Sequence, residues 1–251
     1  MEMRCPVGTK CDPRAVPDRD LVPAHAEFRG PVLKQELRAL LETHRVDEIA
    51  TVARGTRRAL GLLTALTFDR DPAIGWRAVE AMGAATARVA DDDPAAAREH
   101  LRRLHWLIQE ESGGICWRAP EAMAEIVALR PTLFADFIPI VIHLLHETAE
   151  EDLAHFRPGI LWAIGRLGSA GAAHVGDVVP SIVAALDHAD PQVRGMAVWA
   201  LGRIGCSGAV AAREGLRDDT GAVEVYEGGE LRHTTVSEVT RRALGGGATQ
   251  A

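Results

Sequence analysis

Hydrophobic positions recur at helical spacing along most of the chain. In the segment 33–41, leucines occupy positions i, i+4, i+7 and i+8, which is one face of a helix that has Pro31 at its first turn. Apolar stripes of this kind continue, separated by breaks such as the acidic run 91–93 followed by Pro94. The pattern predicts a succession of amphipathic helices.

One helical phrase occurs twice. The segment 161–168 (LWAIGRLG) returns as 198–205 (VWALGRIG), 37 residues later, and such a period is typical of stacked helix pairs. Five triplets share the register: Ala81-Met82-Gly83, Ala122-Met123-Ala124, Ala163-Ile164-Gly165, Ala200-Leu201-Gly202 and Ala243-Leu244-Gly245. Their middle residues are 41, 41, 37 and 43 positions apart, with a second helix predicted in each interval. We therefore predict an all-α fold, an α-solenoid forming one domain over 31–245.

The segment 222–235 departs from the helical pattern. Two runs alternate in a strand-like manner around Gly228-Gly229, which suits a two-residue hairpin turn. This predicts a small β-hairpin inserted into the C-terminal repeat. Two roles remain open: the hairpin covers the open end of the array, or it offers an edge strand to a partner. Residues 1–30 are expected to form an extended arm, and 246–251 a flexible tail.

The repeated segment resembles a known family. The stretch 190–194 (DPQVR), followed by the small and aliphatic residues of 197–205, is similar to the HEAT repeat, most closely to the short bacterial form found in bilin-lyase-like proteins. The resemblance is strong over 157–205, moderate over 71–127 and weak over 31–68. It implies stacked helix pairs with a long concave surface, whereas function varies widely among HEAT arrays.

The repeat register also predicts which side chains share a face. Trp199 and Arg203 lie four residues apart beside the core stripe of their helix, and Trp162 and Arg166 hold the equivalent places one repeat earlier. In the earlier repeats, Glu80 and Glu121 occupy the tryptophan position, and Ala84 and Glu125 the arginine position. We expect two rows along a solvated concave groove that is acidic at one end and aromatic-cationic at the other. Alternatively, each arginine stacks on its own tryptophan in a purely structural ladder.

A second candidate is the pair Trp117-Arg118, which mirrors Trp76-Arg77 one repeat earlier. It either binds a partner or packs repeat against repeat. The complete set of predicted partner-binding residues is Trp162, Arg166, Trp199, Arg203, Glu80, Glu121, Glu125, Trp117 and Arg118.

Composition narrows the functional classes. A net charge of −7 opposes general affinity for nucleic acid or anionic membrane. The longest apolar run, 137–145, is too short to span a bilayer. The four cysteines form neither a disulfide framework nor paired metal ligands, although Cys5 and Cys11 are close in sequence. His146-Glu147 occurs once, whereas a di-iron HEAT enzyme would repeat this pair. We predict a cytoplasmic protein with no metal, cofactor or catalytic residues.

These observations favour a non-catalytic scaffold that binds a peptide or protein along its concave face. Two enzymatic alternatives remain. One resembles the bilin lyases, in which tryptophan and arginine would hold a tetrapyrrole and its carboxylates. The other resembles the HEAT-like alkylpurine DNA glycosylases, and the mixed glutamate and arginine rows argue against it.

Overall fold

The computed structural model describes residues 29–109, 118–150 and 154–245, and its helices form two rows. In the first row are α1 (Arg29–Glu42), α3 (Arg58–Leu66), α5 (Pro94–Ile108), α7 (Ile138–Glu150), α9 (Val179–Ala184) and α11 (Ser207–Ala211). In the second row are α2 (Val46–Gly55), α4 (Pro72–Asp92), α6 (Ala119–Leu129), α8 (Arg157–Leu167), α10 (Pro191–Arg203) and α12 (Val236–Gly245). Each second-row helix packs on the next, which is the arrangement of an α-solenoid.

The helix starts follow from local sequence. Asp71, Asp93 and Asp190 precede α4, α5 and α10, and each carboxylate accepts a hydrogen bond from a backbone N–H in the first turn. A proline follows each aspartate at the first helical position, where its missing N–H costs nothing. The Asp-Pro pair thus marks the start of a helix in either row.

The core lies between the two rows and between successive repeats. The middle residues of four triplets, Met82, Met123, Ile164 and Leu201, are fully buried. Glycines in the second-row helices permit close approach: a Cβ on Gly165 would lie 2.4 Å from the Trp199 ring. The small residues of the repeated triplets therefore set the spacing between layers.

The predicted hairpin is present. Strand β1 (Ala222–Glu227) pairs antiparallel with β2 (Glu230–Thr235) through a turn at Gly228 and Gly229, both at positive φ. Val223 packs against Gly195 of α10, and β2 contacts α4 near the other end of the array. The hairpin therefore runs along the second row of helices and does not cap the end of the solenoid.

The second row forms the concave wall. Trp76 of α4 and Trp162 of α8 have ring centroids only 4.9 Å apart, although α6 stands between their helices. Side chains two repeats apart can meet only on the inner side of a curved array. Among the described residues, no helix is long and apolar enough to cross a membrane.

Candidate functional site

The repeat register places equivalent side chains in contact. The rings of Trp162 and Trp199 are parallel within 3°, with centroids 5.9 Å apart. In the neighbouring row, the Arg166 guanidinium donates two hydrogen bonds to the Glu125 carboxylate, at 2.5 and 3.0 Å. Both contacts join successive second-row helices, so the rows are continuous along the wall from α6 to α10.

The sequence predicts that these two rows are solvated, but most of their side chains are buried. Trp162 and Trp199 are only 3 % and 9 % exposed, and Glu121 and Glu125 are buried as well. The expectation of an open groove along both tryptophans is wrong, because the hairpin lies over them. Any partner that uses these two rings as anchors has to compete with the hairpin.

The hairpin holds both indole groups through hydrogen bonds. Trp162 Nε1 donates to the backbone oxygen of Tyr226 at 3.0 Å, and Trp199 Nε1 donates to the Glu227 carboxylate at 3.0 Å. The Tyr226 ring stacks on Trp76 with a centroid distance of 5.2 Å and an interplanar angle of 6°. Four aromatic rings from three helices and one strand thus form a single cluster.

The tip of the hairpin reaches the first repeats. Arg77 Nε donates to the backbone oxygen of Gly229 at 3.0 Å. Gly229 has a φ of 82°, and a Cβ there would lie 2.3 Å from the ring of His44. His44 Nε2 is in turn 2.9 Å from the Glu80 carboxylate, which also accepts a hydrogen bond from the Tyr226 hydroxyl. Glycine is therefore required at position 229 by both conformation and space.

Backbone groups on the outer edge of β1 also form hydrogen bonds with side chains of the concave wall. The Gln192 side chain accepts a hydrogen bond from the backbone N–H of Glu224 at 2.8 Å and donates to its carbonyl at 2.9 Å. Trp162 also donates a hydrogen bond to the Tyr226 carbonyl. Side chains of α8 and α10 therefore take the place of a neighbouring strand along this edge. The strand β1 is thereby bound by the wall much as a strand is bound by a sheet.

Glu121 is a buried carboxyl group at the start of α6. Its Oε1 lies 3.8 Å from Arg118 Nη1, and its Oε2 has no hydrogen-bond partner among the described residues. Burial raises the pKa of Glu121 to about 7, and Arg118 opposes this change. Arg118 itself lies over Trp76, 4.2 Å from the ring centroid. Both side chains contact neighbouring repeats, and the paired Trp117 lies outside the described residues.

The Glu125 carboxyl is affected in the same way. Burial raises its pKa, and the paired Arg166 lowers it. Both Arg166 hydrogen bonds require acceptor oxygens, so they favour the ionised form of the carboxyl group. Among the described residues, no group of three or more histidine, cysteine or acidic side chains is placed to hold a metal ion.

An open groove remains beside the hairpin. It has a volume of about 770 Å³ and lies between β1 and the C-terminal ends of α8, α10 and α12. Arg166, Arg203 and Arg242, each in the last turn of its helix, line this groove together with Trp199 and Glu227. We call it the arginine groove. It contains two of the predicted cations, Arg166 and Arg203, whereas the predicted acidic end, at Glu80, is occupied by Tyr226 and His44.

Arg203 is the arginine of this groove that forms no ion pair within the described part of the chain. Its side chain is exposed and lies over Trp199, 5.8 Å from the ring centroid. Arg166 is paired with Glu125, and Arg242 with Glu238 at 3.2 Å. Arg203 has no carboxylate within 4.0 Å among the described residues. Its charge is therefore available to a ligand.

Several residues of the site were not among the sequence candidates, including Tyr226, Gln192, Trp76, Arg77, Glu227 and Arg242. Tyr226 is the chain's only tyrosine and stands in a strand-like run, which is a usable signal for a buried aromatic position. Gln192 occupies an ordinary place in the HEAT-like phrase, and nothing in the pattern distinguishes it.

Comparison with known proteins agrees with the architecture. Residues 154–204, which include α8, α9 and α10, match the family model of the HEAT-like repeat. No curated protein and no solved structure matches the chain. The matched segment coincides with the repeated phrase, and the remaining helix pairs stack in the same register. Residues 154–204 are therefore a HEAT-like repeat within a larger stack of helix pairs.

Proposed function

We propose that the protein is a protein-interaction module that binds an acidic peptide segment of a partner in the arginine groove. HEAT-like repeats commonly mediate protein interactions, and the groove is the open part of the concave wall that the hairpin leaves uncovered. The observation that carries the proposal is Arg203, an exposed cation over an aromatic face that has no carboxylate partner among the described residues.

The chemistry of the groove favours an acidic ligand. Three arginines and one glutamate line it, and Arg203 is the arginine among them that has no carboxylate partner in the described part of the chain. A guanidinium that packs against an indole ring is held in a defined orientation, so it binds a carboxylate with defined geometry. Water is then less able to displace the carboxylate. An acidic side chain that enters beside Trp199 would meet Arg203.

The two enzymatic alternatives receive less support. A tetrapyrrole was expected to stack on Trp162 and Trp199, and both rings are covered by the hairpin. A DNA duplex needs an extended basic face, whereas Glu80, Glu121 and Glu125 lie along the same wall. Neither alternative makes use of the exposed Arg203.

The proposal can be tested with labelled peptides. We expect a fluorescent oligoglutamate peptide to bind the full chain, with an affinity that falls as salt rises, and a matched oligolysine peptide not to bind. The double substitution R203Q and R242Q should weaken binding by about tenfold or more, which corresponds to ~1.4 kcal/mol. Fluorescence anisotropy titrations provide the measurement.

The matched control is R58Q, which neutralises an exposed arginine on α3, outside the groove. An arginine in the last turn of a helix also stabilises that helix by a few tenths of a kcal/mol, so melting curves should accompany each titration. Equal binding by the double variant and by R58Q would rule out the groove as the binding site.

A further inference from the structure

The hairpin is inserted into a helix stack that is continuous without it. The helices α10 and α12, which precede and follow the hairpin in sequence, pack directly on each other. The chain also closes at the base of the hairpin: Val236 N donates a hydrogen bond to the Gly221 oxygen at 3.0 Å, and Ser237 N donates to the Asp219 oxygen at 2.8 Å. The hairpin can therefore leave the concave wall as a unit while the helices keep their packing.

The wall binds the backbone of β1. Gln192 forms two hydrogen bonds with the main-chain groups of Glu224, and Trp162 donates one to the main-chain oxygen of Tyr226. Contacts of this kind fit any extended segment, because every residue except proline carries the same backbone donor and acceptor. In extended peptides bound by proteins, main-chain hydrogen bonds provide affinity and side-chain pockets provide specificity.

Two side-chain positions flank this backbone contact. Val223 packs on Gly195 of α10, where an added Cβ would lie 2.6 Å from the valine side chain, so the wall leaves room for an aliphatic group. Glu227 accepts a hydrogen bond from Trp199 Nε1 at 3.0 Å, so an acidic group is held at the other end of the strand. The wall thus favours an apolar residue followed four positions later by an acidic one.

The tyrosine position between them is the most selective. The Tyr226 ring stacks on Trp76, and its hydroxyl donates a hydrogen bond to the Glu80 carboxylate. Phenylalanine would leave this carboxylate without its donor. Phosphotyrosine would bring a second negative charge against the carboxylate, and like charges in contact repel each other. The position therefore selects an unmodified tyrosine.

We propose that the concave wall is a receptor for an extended segment of a partner protein, and that the hairpin is a built-in occupant which this segment displaces. The segment carries an aliphatic residue, a tyrosine three positions later and a glutamate directly after the tyrosine. The inference rests on the proposed function only in the premise that the protein is an interaction module, because it concerns the covered wall and not the open arginine groove. The docked hairpin lowers the apparent affinity, since only molecules with an open wall can bind.

The first test uses the full chain and a labelled linear peptide GAVEVYEG, which is the sequence of residues 221–228. Y226A removes the anchor of the attached hairpin and leaves the wall complete, so we expect the peptide to bind Y226A at least tenfold more tightly than the unaltered chain. The matched control is L101A, because Leu101 is buried in α5 of the other row and its loss destabilises the fold without releasing the hairpin. Fluorescence anisotropy titrations measure the affinities.

Variant peptides test the chemistry of the tyrosine position. With the Y226A chain, we expect roughly tenfold weaker binding when phenylalanine replaces the peptide tyrosine, through loss of a hydrogen bond to a charged acceptor. A phosphotyrosine peptide should not bind.

A third measurement needs no variant. When unlabelled peptide is added in excess to the isotopically labelled, unaltered chain, the nuclear Overhauser effects between Tyr226 and Trp76 of the chain should disappear, because the peptide has displaced the hairpin.

Four results would each overturn the inference: no gain in affinity in Y226A, an equal gain in L101A, equal binding of the tyrosine and phosphotyrosine peptides, or exchange of hairpins between two copies of Y226A in place of peptide binding. Peptide binding that keeps the effects between Tyr226 and Trp76 and is lost in the R203Q and R242Q double variant would place the peptide in the arginine groove. That result would support the proposed function and refute this inference.

Discussion

The hydroxyl of Tyr226 donates a hydrogen bond to the carboxylate of Glu80, 146 residues earlier in the chain. This contact joins the hairpin of the last repeat to α4, near the other end of the array. Burial raises the pKa of Tyr226, and the hydrogen bond to Glu80 acts in the same direction, so the phenol stays protonated and remains a donor. The hairpin is therefore a strap along the concave wall.

The first prediction concerns the anchor of this strap. Y226F keeps the stacked ring and loses the hydrogen bond to a charged acceptor, so we expect a loss of about 2 kcal/mol. Y226A also removes the ring from the aromatic cluster, and the expected loss is about 4 kcal/mol. Urea unfolding monitored by circular dichroism measures both values. Equal stability of Y226A and the unaltered chain would show that Tyr226 does not anchor the hairpin.

The second prediction concerns Trp162. Because the ring is buried and stacked on Trp199, W162A should lower the free energy of unfolding by about 3–5 kcal/mol. The control is W106A, since Trp106 of α5 is 59 % exposed and its loss should change stability little. Similar melting temperatures for the two variants would contradict burial beneath the hairpin.

The third prediction concerns pH. The pKa of Glu121 in the folded chain, about 7, lies above its unfolded value of 4.5, so the folded state holds the proton more tightly. Its contribution to stability is fully present below pH 4.5 and is lost as the pH rises to about 7. E121Q should remove this loss and should be the more stable protein at pH 8, by an amount on the order of 3 kcal/mol or less.

The comparison of E121Q with the unaltered chain is needed because His100 acts in the opposite direction. Burial lowers the pKa of His100 to about 4, so its contribution is lost as the pH falls below 6.5. The difference between the two stability curves isolates Glu121. A difference that is constant between pH 4.5 and 8 would refute the raised pKa.

The fourth prediction concerns the pair Glu125 and Arg166. E125A leaves Arg166 without its carboxylate in a largely buried place, so we expect a loss of about 3–5 kcal/mol. The matched control is D92A, which breaks the exposed pair with Arg54 and should change stability little. Equal effects of the two substitutions in urea unfolding would show that Glu125 is effectively solvated.

Much of the architecture could be predicted from the sequence, because residues that are one repeat apart in sequence lie side by side when the repeats stack. The contact between Trp162 and Trp199 and the pair of Glu125 with Arg166 both follow from the register. The hairpin could be predicted from its alternation and its glycine turn. These features depend on local chemistry and on repetition.

The burial of the rows could not be predicted in this way. The covering strand lies 64 residues beyond Trp162, and a repeat period carries no information about where an inserted segment folds. The contact between Trp76 and Trp162 depends on the curvature of the whole array, which is the sum of small rotations between repeats. The repeat register therefore predicts that these side chains share one face, but not that the hairpin covers it.

The most direct test of the strap is an NMR measurement on the single tyrosine. Because Tyr226 is the only tyrosine, nuclear Overhauser effects from its ring protons can be assigned without ambiguity. With ring centroids 5.2 Å apart, we predict strong effects between Tyr226 and the indole protons of Trp76. Nuclear Overhauser effects from the Tyr226 ring to residues of its own hairpin alone would contradict the account, because the hairpin would then not cover the concave wall.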